Sequence, residues 1–217
     1  MTSSTGPKLG PHWLAVIVPL AIGVAGYYGP WVPHRAAGLV VMGLDLAEYV
    51  KFLPRVASGQ IALGRDLFYL PLFTASITCA LLASRRSLPR WSRWLLAVAS
   101  VPLAFAMLPP AWSPSALMAE EYRTQVLAIT VCIAMVAALA VTRYLPNRVT
   151  LWIIAVLALA SVVGPASGFV QVRPAIEELY RHPLPLGWGF YACVGGFLAT
   201  SLFSVSEALR PWRIRRR

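Results

Sequence analysis

Six long apolar stretches, none of which contains Asp, Glu, Lys, Arg or His, constrain this chain more than any other feature. They cover residues 13–29, 67–83, 94–109, 124–142, 149–165 and 188–206. A membrane-crossing helix needs about 20 mainly apolar residues, with about 17 as the lower end. Each stretch is of that order and is bounded by charge or proline. Six such spans occupy about 120 positions of a 217-residue chain, which leaves loops and tails but no separate soluble domain. The expected fold is therefore an all-α integral membrane protein. It is a six-transmembrane-helix bundle in one membrane domain over 1–217, arranged as three helical hairpins with short amphipathic helices in the outer loops.

The composition agrees. Hydrophobic residues make up 58% and charged residues 12% of the chain, against about a quarter charged in soluble domains. Disorder is excluded by the same balance, because a disordered chain is poor in apolar residues and rich in charge. Three cysteines are too few for a disulfide scaffold. The first stretch follows Lys8 as a signal peptide would, but it ends in Tyr27, Tyr28, Gly29, Pro30 and Trp31. That is an interfacial aromatic belt rather than a small-residue cleavage site, so it is read as a retained span.

A net charge of +11 would suggest nucleic acid in a soluble protein. Its placement points elsewhere, and no nucleic-acid partner is expected. Alternate connections sort the charges onto two sides. One side, formed by the N-terminal tail, the 84–93 and 143–148 turns and the C-terminal tail, carries twelve basic residues and one acid, Glu207. The other carries seven basic residues and seven acids. Bases are retained in the cytoplasm, so both termini are predicted inside and the outer face is neutral. Arg85, Arg86, Arg90, Arg93, Arg213, Arg215, Arg216 and Arg217 are assigned to topology and to anionic lipid head groups on the cytoplasmic face. The expected location is a bacterial inner membrane, and the preference for arginine over lysine fits a GC-rich genome.

The three outer connections share an ordered set of features. A proline-containing breaker, Gly29-Pro30, Pro109-Pro110 or Gly164-Pro165, ends each outgoing helix. An acid, a tyrosine and a base follow: Glu48-Tyr49-Val50-Lys51, Glu121-Tyr122-Arg123 and Glu178-Leu179-Tyr180-Arg181. The bilayer's demand for interfacial aromatics and charge accounts for this as well as a triplication does. In the first connection Leu39, Met42, Leu46, Tyr49, Val50 and Leu53 recur at helical spacing, predicting an amphipathic helix over 36–52. A shorter one is expected over 174–180.

Candidates for chemistry are few. Glu120–Glu121 and Glu177–Glu178 are adjacent pairs that point about 100° apart on a helix and do not share one site. Asp45 and Glu48, one turn apart, make a better pair. The outer-face candidate site is Asp45, Glu48, Tyr49, Glu121, Tyr122, Glu178 and Tyr180. No catalytic residue is assigned. His12, His34 and His182 lie outside the spans, where haem ligation between helices is not available, and no metal or other cofactor is expected. Cys79, Cys132 and Cys193 lie at different depths and read as small apolar residues. No intramembrane charge marks an ion pathway. Small residues line the helices instead: Gly189, Cys193, Gly196, Ala199, Thr200 and Ser204 on the sixth, Ala21 and Ala25 on the first, Ala134 and Ala138 on the fourth, and Ala160 and Gly164 on the fifth. Pro19, Pro71 and Pro102 are expected to kink their spans.

Two classes of function follow. The first is a non-catalytic subunit or accessory component of a membrane complex, with the lipid bilayer and other membrane subunits as partners. The second is a small transporter or membrane enzyme working through the acids and tyrosines of the outer face. The missing catalytic and intramembrane polar residues favour the first.

Overall fold

A computed structural model describes residues 12–34, 40–109, 113–181 and 183–210. His182, Arg213, Arg215, Arg216, Arg217 and positions 36–39 of the expected amphipathic helix lie outside them. The described chain is mostly helical. Each of the six apolar stretches folds as helix: α1 (Leu14–Tyr27), α4 (Leu70–Ala83), α5 (Arg90–Phe105), α7 (Arg123–Ala137) with the one-turn α8 (Leu139–Thr142), α9 (Asn147–Tyr180) and α10 (Trp188–Leu209). Between α1 and α4 lie β1 (Pro30–Val32), β2 (Val41–Met42), α2 (Gly43–Tyr49) and α3 (Pro54–Ala57). The short α6 (Pro114–Leu117) follows α5. Among the described residues three helices are long and apolar enough to cross a membrane: α4 with the 3-10 turn Arg65–Tyr69 before it, α9, and α10. The others are shorter, with 14 residues in α1, 16 in α5 and 15 in α7.

Helix α4 is the axis of the bundle. Twelve of its fourteen residues are buried, and α1, α5, α7, α8 and α9 all pack on it. A helix enclosed all round must place its hydroxyls against neighbouring backbone, since water is excluded. Thr74 Oγ1 donates to the Leu157 carbonyl (3.1 Å), Ser76 Oγ to that of Ser100 (2.8 Å), and Ser161 Oγ on α9 to that of Leu70 (3.0 Å). These bonds tie α4 to α9 on one side and to α5 on the other. Pro71 does not kink α4, because it sits in the first turn, where no intrahelical amide bond is lost. Pro19 and Pro102 do lie inside α1 and α5.

The main partner of α1 is α10, with α4 a weaker contact, so the first expected hairpin is opened and the first and last helices are packed together. The small face of α1 is also not the expected one. Ala21 and Ala25 are exposed, and Gly23 and Gly26 meet α10. Ala134 on α7 is likewise exposed, whereas Gly189, Cys193, Gly196, Thr200 and Ser204 are buried as expected. Close approach of two backbones is what a glycine pair permits.

Two boundaries differ from expectation. The fifth stretch does not stop at 165. Its helix runs through Pro165 and Pro174 to Tyr180, absorbing the short helix expected over 174–180, and ends where Arg181 adopts a left-handed conformation (φ 56°). Phe169, Val172, Ala175 and Ile176 are buried on its far half, so apolar packing holds the helix past two residues that each lack an amide donor. At about 1.5 Å per residue its 34 residues extend about 51 Å. The second difference is the amphipathic helix over 36–52. Its residues 40–42 are extended, and Val41 and Met42 pair antiparallel with Pro30–Val32, so α2 begins at Gly43 and is continued by a 3-10 turn over Val50–Phe52. Pairing with β1 overrides helical spacing there, as β-branched residues favour.

The β1–β2 ribbon and α2 cover one end of the bundle. Trp31 is fully buried there, edge-on to Phe169 (5.4 Å between centroids) and to Phe190 (5.2 Å), and its indole donates to the Gly26 carbonyl (3.3 Å). The Tyr27 hydroxyl donates to the Phe68 carbonyl (2.9 Å). At the opposite end the indole of Trp13 donates to Ser87 Oγ (2.6 Å), and the His12 amide donates to Glu207 (3.3 Å), which also pairs with Arg210 (2.9 Å). The start of α1, the α4–α5 turn and the end of α10 therefore meet at this second end, which carries seven of the twelve described arginines.

Candidate functional site

The capped end holds the acids and tyrosines singled out from sequence. Glu48 and Lys51 stand one turn apart where α2 passes into its 3-10 turn, and their side chains meet at 2.6 Å. Lys51 also reaches Glu121 (3.1 Å), on the 3-10 turn Glu120–Tyr122. Arg65, at the turn leading into α4, closes the figure. It lies 3.0 Å from Glu48 and 3.5 Å from Glu121, and donates to the Glu121 backbone carbonyl (2.8 Å). Two acids and two bases thus alternate around a closed ring of four contacts. Tyr122 lies against both cations, its ring centroid 4.9 Å from the Arg65 guanidinium and 5.6 Å from the Lys51 ammonium. The Tyr69 hydroxyl donates to Glu48 (3.1 Å). Burial pulls the Lys51 ammonium down, but its hydrogen bonds to Glu48 and Glu121 outweigh that and hold it above its usual range.

This ring joins three segments far apart in sequence: α2, the entry to α4 and the entry to α7. Its charges cancel, and Glu48 accepts from three donors. A general acid or base needs a proton in reach of substrate and a protonation state that changes near the working pH. Glu48 is instead engaged on both oxygens by Lys51, Arg65 and Tyr69, so the ring is built as a clasp.

The remaining members of the predicted set lie apart from the ring. Glu178 pairs with Arg55 on α3 (2.5 Å). Glu177 pairs with Arg173 (2.9 Å) and accepts the Leu184 amide (3.1 Å), closing the link between α9 and α10. Asp45 accepts the Met42 amide (3.0 Å), capping the start of α2. Asp45, Tyr49 and Tyr180 line an open cavity of about 600 Å³ with His34, Val40, Val41 and Leu179. The rings of His34 and Tyr180 meet at 5.6 Å. The seven predicted residues therefore fall into a ring (Glu48, Glu121, Tyr122), a cavity wall (Asp45, Tyr49, Tyr180) and a separate ion pair (Glu178). Lys51, Arg65 and Tyr69 complete the ring and were not singled out. Nothing local marked them, since residues 51, 65 and 121 are brought together only by the fold. Among the described residues no group of three His, Cys, Asp or Glu side chains is placed to hold a metal ion.

Tyr49 is held neutral by its surroundings. Burial, with Tyr180 as its charged-state neighbour and hydrogen-bond partner, pushes its phenol up to about 12. An unfolded tyrosine ionises near 10. The folded state thus keeps the proton more tightly, and the stability this contributes is complete below pH ~10 and lost as pH rises toward 12. Thermal unfolding in mild detergent is expected to weaken over that interval, and to weaken less in Tyr49→Phe. Identical alkaline slopes for the two proteins would count against this assignment.

The arginines at the opposite end have different fates. Arg86 and Arg90 are exposed, and Arg93 is half-buried and donates to the Ala83 carbonyl (3.1 Å). Arg85 departs from the expectation. It is 3% exposed, and its guanidinium is spent on protein: the Leu145 carbonyl (2.8 Å), Asn147 Oδ1 (3.3 Å), the Leu81 carbonyl (3.2 Å), Ser84 Oγ (2.8 Å) and the Thr142 carbonyl. It binds the ends of α4 and α8 and the start of α9 together.

These features define a mostly helical protein with three helices long and apolar enough to cross a membrane, one clasped and one arginine-bearing end. No family model, curated protein or solved structure matches the chain.

Proposed function

We propose that the chain is a multi-pass inner-membrane protein of six spans with both termini cytoplasmic, and that it is a non-catalytic subunit or accessory component of a membrane complex. The observation that carries the second part is the state of the acids at the capped end. Glu48, Glu121, Glu177 and Glu178 are each tied to a base, and Asp45 caps a helix. These five acids are used to fasten loops and to cap a helix.

Membrane placement is supported by the exposed apolar surface. Leu14, Val18 and Ile22 on α1, Leu95 and Val98 on α5, Leu127 and Val131 on α7, Val156 and Val163 on α9, and Leu198 and Leu202 on α10 all face outward. Side chains of this kind around the whole circumference suit hydrocarbon. The meeting of residues 12, 87, 145, 147 and 207 at one end agrees with an even number of crossings. A hydrocarbon core of about 30 Å accommodates about 20 residues of α9, leaving its last turns to stand above the outer surface and carry the cap.

Mild-detergent purification from the native host, with identification of what accompanies the protein, tests the reading. Co-purification of a membrane partner at fixed stoichiometry is the expected result. A protein that runs alone and binds a small molecule, with affinity falling on Glu48→Gln, Glu121→Gln or Glu178→Gln, would instead favour a transporter or membrane enzyme. The cavity lined by Asp45, Tyr49 and Tyr180 is the observation on that side. Topology has its own check: a tag at residue 115 is expected to be reachable from outside the cell and one at residue 217 is not.

A further inference from the structure

We propose that the cavity between α5 and α8 at the arginine-bearing end is a binding site for the phosphate of an anionic phospholipid. The proposal rests on the membrane reading and gives its cytoplasmic face a specific lipid site. The cavity measures about 400 Å³ and is lined by Arg90, Arg93 and Arg143, with Ser84 and Trp94 beside them and Ala83, Ala97, Leu139 and Ala140 as the remaining wall.

Three arginines line the cavity from two elements. Arg90 and Arg93 are one turn apart on α5, and Arg143 directly follows α8. No acid lines the cavity, and among the described residues none of the three arginines forms an ion pair with a carboxylate. At the capped end Lys51, Arg55, Arg65 and Arg173 each have an acid while Arg123 and Arg181 have none among the described residues, so what sets this cavity apart is that three such arginines line one concavity. Three positive side chains around one concavity repel one another unless an anion joins them. Two are also held in place: Arg93 through its Nε on the Ala83 carbonyl (3.1 Å), and Arg143 through the Tyr144 hydroxyl (2.6 Å) and ring (4.7 Å to the centroid). Guanidinium groups so positioned offer paired donors that suit phosphate oxygens. The first turn of α5 is at the same place, and no side chain caps it, so its amides add partial positive charge.

The rest of the wall selects the source of the phosphate. A soluble phosphate compound has no use for an apolar surface beside its anion. Here Trp94, Ala97, Leu139 and Ala140 line the cavity, and Trp91, Leu95, Val98 and Val141 continue outward as exposed apolar surface on the same two elements. Head group and acyl chain would thus be met by adjoining parts of one groove, with the tryptophans at interfacial depth. Arg85 shapes the site without joining it, since its guanidinium binds the ends of α4 and α8 that form the cavity floor.

Lipid retention by the full-length protein in mild detergent, read by native mass spectrometry with phosphatidylglycerol or phosphatidylcholine added, tests the proposal. Wild type is expected to prefer phosphatidylglycerol by about tenfold or more, from about one order of charge attraction shared by the arginines. Arg90→Gln with Arg143→Gln, both exposed in wild type, should bring the two lipids level. Arg86→Gln with Arg148→Gln, exposed on the same end but outside the cavity, should keep the preference. The single change Arg143→Gln gives the same comparison should the double variant not purify. Equal binding of the two lipids by wild type, or equal loss in both double variants, would overturn the site. So would displacement of phosphatidylglycerol by millimolar inorganic phosphate, which would mark a site for soluble phosphates. Release of the protein from membranes by alkaline carbonate would refute the membrane reading itself, whereas an inserted protein without lipid preference refutes only the site.

Discussion

Replacing Arg85 by alanine is expected to destabilise the bundle by about 3 kcal/mol or more, while Arg86→Ala beside it stays within about 0.5 kcal/mol of wild type. The two arginines are neighbours in one turn, yet one is 3% exposed and the other lies in solvent. The last carbonyls of a helix have no intrahelical donor. Arg85 donates to two such groups, the carbonyls of Leu81 and Thr142, and to the Leu145 carbonyl in the turn between α8 and α9. Alanine would remove the Leu145 carbonyl's bond to the guanidinium, leave Thr142 with only the Leu145 amide (3.1 Å) and Leu81 with only Ser84 Oγ (2.7 Å), and empty the buried place between the helix ends. Lysine would recover little, because an ammonium on a flexible stem does not present the planar fork that spans two helix ends. Thermal unfolding in mild detergent gives the comparison. A wild-type midpoint for Arg85→Ala, or equal losses for the two alanine variants, would show that the arginine does not join these helices.

The second large effect is expected at Gly26. A Cβ there would overlap the backbone amide of Cys193 and the Ala192 side chain, and one at Gly196 would overlap the amide of Gly23. The obstruction is backbone on both sides, so no rotamer change relieves it, and α1 must move away from α10. Overpacking costs about 1–3 kcal/mol in well-packed cores and more where backbone must shift, so Gly26→Ala is placed at about 3 kcal/mol and Gly26→Val above it. Gly195 provides the contrast, since a Cβ there meets nothing within 4 Å. Gly195→Ala should be neutral or stabilising by about 0.5–1 kcal/mol through helix propensity. Equal tolerance of alanine at 26 and 195, measured by unfolding, would disprove the tight α1–α10 contact.

Much of the architecture was legible in the chain. Absence of charge over each apolar stretch was enough to locate six helices, because a helix is the way such a segment satisfies its own backbone. What could not be read depends on neighbours. Pro165 and Pro174 remove amide donors, and a local rule ends the helix at the first of them. The buried face through Phe169, Val172 and Ile176 holds it together instead. Residues 40–42 had helical spacing, yet β1 was available to pair with them. On α1, the pairs Ala21–Ala25 and Gly23–Gly26 both fit a small-residue face, and only the rotation of the helix against α10 selects the glycines. The candidate site was half legible for the same reason. Glu48, Glu121 and Tyr122 were chosen for their chemistry, but Lys51 and Arg65 were counted as topology, since nothing local says that 51, 65 and 121 meet. Arg85 was one loop arginine among four until α8 and α9 supplied the carbonyls around it.

Helix α9 has a mechanical consequence. Its first turn is held by Arg85 through Asn147, and its last turn carries Glu178 against Arg55 and Tyr180 against the cavity of Tyr49. A continuous rod about 51 Å long, held through Pro165 and Pro174 by its buried face, would carry a tilt at its foot to its tip as a sideways swing. The two faces of the protein are thus linked by a lever.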